Sequence, residues 1–143
     1  MWQIHRILRP GGRLGLATGS KEHPNRLLQV RRQVLSKAPY NAFPESRAGS
    51  PHWVSVPELV WLLDRNGFSV EKVELKENVF NHPDADDAID FSQASSFGNF
   101  LGHLPDALRE SAIAEIKQEL ENFRTADGIR LEGRRIVAIA TQK

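Results

Sequence analysis

A proline followed by two glycines, Pro10-Gly11-Gly12, breaks the chain between two apolar stretches of different period. Upstream, Trp2 or Ile4, Ile7 and Leu8 recur at helical spacing over residues 2–8. Proline cannot continue a helix and glycine accepts the backbone angles of a sharp turn, so the helix ends there. Downstream, Arg13-Leu14-Gly15-Leu16-Ala17-Thr18 is brief, mostly apolar and bounded by turn residues, which suits a buried strand. The chain therefore opens helix, tight turn, strand. Its other end carries a matching signal, since the run Ile136-Val137-Ala138-Ile139-Ala140 is continuous enough for a central strand.

Between these strands the periods alternate. Leu27, Leu28, Val30, Val34 and Leu35, with arginines between them, predict an amphipathic helix over residues 24–35 with a basic polar side. Residues 38–54 hold three prolines and three aromatics and fit no period, so they predict a loop with anchors. Ser55 and Glu58 have the spacing of a capping box, with Val56, Leu59, Val60, Leu62 and Leu63 as the buried stripe and Gly67 past the end. Residues 68–80 alternate imperfectly and predict a long strand with an irregularity near Glu71-Lys72. Residues 81–87 read as an acidic loop, followed by short helices broken at Gly98 and Gly102. Residues 105–124 predict a helix, and residues 129–140 a hairpin or one bulged strand around Gly133.

Composition excludes several function classes. With 143 residues, 40% of them hydrophobic, the chain can bury a core as one domain over 1–143. The absence of cysteine excludes a disulfide framework and a thiolate centre. No apolar run reaches the roughly 18 residues of a spanning helix, and the start lacks a signal-peptide pattern. The reading is a cytoplasmic protein with no membrane role. No two of the five histidines are four residues apart, so no metal site is expected. No Walker loop, nucleophile elbow or dinucleotide fingerprint occurs. Charge is uneven: residues 1–55 carry nine basic and two acidic side chains, the remainder ten and sixteen. That pattern fits an anionic partner, or regions that neutralise each other on folding, and the second is the simpler account.

One resemblance organises these signals. The run Ile4-His5-Arg6-Ile7-Leu8-Arg9-Pro10-Gly11-Gly12-Arg13-Leu14 resembles the helix, Pro-Gly-Gly turn and fifth strand of class I S-adenosylmethionine-dependent methyltransferases, especially their small-molecule branch. The step Leu62-Leu63-Asp64-Arg65-Asn66-Gly67-Phe68 is similar to that family's helix, Gly-Phe and sixth strand. Residues 128–143 are similar to its closing antiparallel strand. The resemblance implies an α/β fold: the C-terminal part of a Rossmann-like sheet, about three strands with the last antiparallel, flanked by helices. It implies the acceptor-side, C-terminal half of such an enzyme, with the cofactor-binding N-terminal half absent. S-adenosylmethionine would serve the complete enzyme and none is expected on this chain alone. No cofactor-binding residue carries over, because no position here matches one, and no catalytic residue can be named.

The same resemblance leaves residues 13–18 as an apolar strand edge wanting a partner, a second copy of the chain or the complementing N-terminal half. For the small-molecule acceptor, Thr18 and Ser20 follow the fifth strand, where open sheets place ligands, although an ordinary turn fits equally. Tyr40 and Trp53 line a pocket or pin the proline-rich loop. Phe97, Asn99 and Phe100 lie in the insert that covers the acceptor in relatives, or pack a helical break. The alternative function is a non-catalytic assembly module derived from a methyltransferase, touching nucleic acid through its basic first third; nucleic acid is the weaker of the two partners.

Overall fold

The turn that opens the sequence closes on itself. In the computed structural model, which describes residues 1–44, 52–94 and 99–143, α1 (Trp2–Ile7) ends before Pro10. The Gly12 N–H then returns to the Arg9 carbonyl at 2.7 Å. Gly11 donates to the Gln142 carbonyl and Gln142 to that of Gly12, tying the turn to the chain's last strand. From there the chain enters β1 (Arg13–Gly19). The remaining elements are α2 (Arg26–Leu35), α3 (Val56–Arg65), β2 (Phe68–His82), α4 (Ala85–Gln93), α5 (Asp106–Leu120), β3 (Arg124–Thr125) and β4 (Gly128–Gln142).

These strands form a four-stranded sheet in the order β1-β4-β2, with β3 also pairing β4. The closing segment is therefore one strand and not a hairpin. It runs antiparallel to β1, with Arg13 opposite Thr141 and Gly19 opposite Arg135. The architecture is α/β, an antiparallel four-stranded sheet flanked by helices; the flanking helices and the antiparallel last strand are as the resemblance implied.

By contact the chain divides into two compact units. The first comprises Met1–Pro24, Trp53–Asn78 and Gly133–Lys143. Its core is Leu59, Leu63, Phe68, Ile136, Ala138 and Ala140, against which Leu14 and Leu16 pack. Because strand side chains alternate faces, Leu14, Leu16, Ile136, Ala138 and Ala140 share one face of the sheet. Gly15, Ala17 and Gly19, opposite Ile139, Val137 and Arg135, form the other.

Helix α3 starts at the expected capping box. The Ser55 hydroxyl accepts from the Glu58 N–H at 3.2 Å, and the Glu58 carboxylate accepts from the Ser55 N–H at 2.8 Å. Its buried stripe is narrower than the spacing predicted. Leu59 and Leu63 are buried one turn apart, whereas Val60, rotated off that line, is 37% exposed. In β2 the alternation of burial changes phase at Glu71-Lys72, as expected, and reverts at Lys76-Glu77.

The second unit comprises Asn25–His52 and Val79–Glu132. Its core gathers Val30 and Val34 of α2, Ala88 and Ile89 of α4, Ile116 and Leu120 of α5, and Ile129. Here the acidic stretch departs from the loop its composition predicts. Asp84 accepts from the Asp87 N–H at 2.9 Å and caps α4, with Asp86 and Asp87 in its first turn, so part of the expected loop is helix. Carboxylates offset the unpaired N–H groups and positive dipole end of a helix start, which makes the same three residues a start signal. Gly102 lies in a turn after Asn99, and Gly98 falls outside the described residues.

Candidate functional site

The structure gathers three of the seven sequence-nominated residues in the first unit, at the carboxyl end of β1. Thr18 is half-buried, Ser20 is fully buried, and Trp53 is half-buried. Ser20 donates its N–H to the Arg134 carbonyl, while its hydroxyl accepts the His23 N–H at 3.2 Å; the Arg134 N–H returns to the His23 carbonyl. A parallel bridge between Ser20 and Val54, with the Lys21 N–H on the Val54 carbonyl at 3.1 Å, holds the Trp53-Val54 segment beside the strand end. Trp53 consequently lies on Gly19. A Cβ added to Gly19 would fall inside the indole, within 2.7 Å of Nε1, so that no other residue fits there without moving the ring.

This arrangement does not fit S-adenosylmethionine. A donor site needs an open, glycine-lined backbone and free N–H groups. The space above Gly19 is filled by the indole, and the Ser20 N–H is already spent on β4. Nearby Glu58 is committed to its cap and to Lys21 at 3.0 Å. The Ser55 N–H, followed by Lys21, lowers the Glu58 carboxyl to about 2, so it stays ionised.

The other nominated residues belong to the second unit. Tyr40 is 1% exposed and donates its hydroxyl to Glu115 Oε1 at 2.6 Å. Phe100 is buried beneath the Arg31 guanidinium, 4.6 Å from its ring centre. Asn99 is exposed and lines a cavity of about 330 Å³ with Gln93, Leu101, Arg109 and Ile113. Arg109 is anchored there by Asp106 at 2.6 Å and by the Leu101 carbonyl at 3.2 Å. Phe97 lies outside the described residues.

Sequence reasoning overlooked two arrangements. His82 is 5% exposed and its Nδ1 lies 2.8 Å from Asp87 Oδ2, with the Phe80 and Phe91 rings beside it. A histidine five residues before the carboxylate at a helix start was its only signal. Arg135 stands across from Gly19, which no residue pattern discloses without the strand register. Among the described residues no cluster of side chains could hold a metal ion, and no helix is long and apolar enough to cross a membrane.

Several basic residues of the first third are engaged. Arg13 pairs with Glu71 at 2.6 Å and Lys21 with Glu58, both acids from the later sequence. Arg31 is buried, Arg26 stacks on Phe123 at 5.2 Å, and Arg47 lies outside the described residues.

No protein-family model matches the chain, and no curated protein matches it. Among solved structures it is similar to a Bacillus halodurans C-125 protein provisionally called a methyltransferase, at 18% identity and a TM-score of 0.48. The alignment covers 98% of this chain and 55% of that one, so the chain spans about half the length of that protein.

Proposed function

We propose that this chain is the acceptor-side portion of an S-adenosylmethionine-dependent methyltransferase acting on a small molecule, inactive until another segment supplies the donor. The observation that carries this reading is the place of β4. The last strand in sequence lies between β1 and β2 and runs antiparallel to β1. It does so behind the same helix, Pro-Gly-Gly turn and capped-helix steps that carry the resemblance to class I methyltransferases. Methyl transfer from a sulfonium demands positioning and exclusion of water more than an acid or base, so a site without a catalytic pair is compatible with it.

The donor-bearing segment, or a second copy, pairs with the outer edge of β1, which lies at one end of the strand order. A reducing cytoplasm suits a chain of this composition. The competing reading, a module binding nucleic acid through the basic first third, is weakened by the Arg13 and Lys21 ion pairs and the burial of Arg31.

Co-expression with the segment encoded immediately upstream tests the proposal. The pair should bind S-adenosylmethionine and pass a labelled methyl group to a small-molecule pool, while this chain alone does neither. Donor binding by this chain alone, or an upstream segment with no donor-binding loop, would overturn it.

A further inference from the structure

We propose that the carboxyl end of β1 binds planar carboxylates, gripping the flat body on Trp53 and the carboxylate on Arg135. The inference rests on the methyltransferase reading only in calling this ligand the acceptor; the binding itself rests on geometry within the first unit.

The indole of Trp53 occupies the place a Gly19 side chain would take. Arg135 is the direct cross-strand partner of Gly19. Residues opposed in this way project from the same face, their Cβ positions roughly 5 Å apart. The Arg135 side chain therefore leaves the strand beside the indole. Arg135 is exposed, and no acidic side chain pairs with it among the described residues. The other end of the same face is built differently. There Arg13 meets Glu71 at 2.6 Å, and the same carboxylate accepts from Thr141. One arginine of this face is neutralised within the fold, and the one beside the tryptophan is left with its charge.

A guanidinium offers paired N–H donors that match a carboxylate in its own plane, whereas an indole favours an offset, flat partner. A molecule that answers both must be planar and anionic at one end, such as an aromatic or conjugated acid. A compact anion meets only the arginine, and a neutral aromatic amide only the indole. Trp53 is suited to the task because the Val54 bridge and the Gly19 contact hold its backbone and ring in place before any ligand arrives.

The chain carries three tryptophans, so its three indole N–H signals in a nitrogen-15 spectrum report them separately, with Trp53 assigned by Trp53→Phe. Benzoate should shift the Trp53 signal saturably and leave the other two in place. Benzamide and cyclohexanecarboxylate should each bind about tenfold more weakly. Arg135→Gln should lose benzoate affinity by about tenfold without changing that for benzamide, and Arg135→Lys should recover part of it. As Arg135 is exposed, these variants should keep the parent's circular-dichroism spectrum and melting temperature, which checks that they fold. Equal affinity for benzoate and benzamide, an Arg135→Gln variant that binds benzoate like the parent, or no saturable shift would overturn the proposal. Benzoate binding without methyl transfer by the co-expressed pair would sink the methyltransferase reading alone; transfer to an uncharged acceptor without benzoate binding would sink this one alone.

Discussion

The hydroxyl of Tyr40 donates to Glu115 Oε1 at 2.6 Å across a stretch of 75 residues, joining the proline-rich loop to α5. The carboxylate raises the phenol to about 12, with burial adding to it. Tyr40 is the chain's only tyrosine, so alkaline absorbance reports this group alone. The folded value lies above the unfolded one near 10. Its stabilising effect should be complete below pH 10 and fade as pH rises toward 12. Native protein should show no tyrosinate at pH 10.5 while denatured protein does. Tyr40→Phe should cost about 1.5 kcal/mol at pH 7, because Glu115 is exposed and rehydrates, and should remove the alkaline dependence.

The Ser55 and Glu58 capping box makes a prediction of opposite sign. Glu58 titrates at about 2 in the folded chain, below its unfolded value. What it contributes is present above the unfolded carboxyl value and is lost as pH falls toward 2. Ser55→Ala should cost about 1 kcal/mol at neutral pH in thermal melts. Glu58→Gln should flatten the decline of melting temperature between pH 5 and 3 relative to the parent.

That box was legible because both partners lie within one helical turn, and so was the Pro10-Gly11-Gly12 stop. Local backbone chemistry decides such features before any tertiary contact forms. The antiparallel direction of the last strand followed only from the resemblance, and the order of strands was not legible at all, since nothing in residues 128–142 says which strands will flank them. The candidate site was half legible. Thr18, Ser20 and Trp53 converge at one strand end, but the Arg135 beside them depends on a register fixed by β1 and β4 together. Tyr40 and Phe100 illustrate the converse. An aromatic in an irregular stretch reads alike whether it anchors the core or lines a cleft, and only the partner, here Glu115 or Arg31, separates the two. Val60 failed as a core residue because a helical stripe is judged by spacing, whereas burial depends on how wide a face the sheet covers.

Gly128, at the turn into β4, should tolerate no side chain. Its φ is 109°, beyond the left-handed region that other residues reach, and an added Cβ would collide with the His82 carbonyl. The obstacle is backbone and cannot rotate away. Gly128→Ala should destabilise by about 3 kcal/mol in urea melts, whereas Gly15→Ala, where a Cβ meets nothing within 4 Å, should change stability little.

The two edges of the sheet are unequally defended. Along β2, Lys72, Glu74 and Lys76 form a ladder of ion pairs at 2.7 and 3.4 Å, the kind of charged rim that repels a further strand. β1 presents Leu14, Gly15, Leu16, Ala17 and Thr18 without a charge, and its pairing among the described residues is with β4 on one side only. Association should therefore run through β1. Sedimentation of the chain should show concentration-dependent dimers, or a complex when the chain is co-expressed with the segment encoded immediately upstream. Ala17→Lys, an exposed position on that strand, should shift the chain toward monomer by about tenfold in dissociation constant without unfolding it. On the opposite edge, Val79→Lys in β2 should leave the dimer unchanged. A well-folded monomer at every concentration, or equal sensitivity to Ala17→Lys and Val79→Lys, would show that the β1 edge is not the association surface.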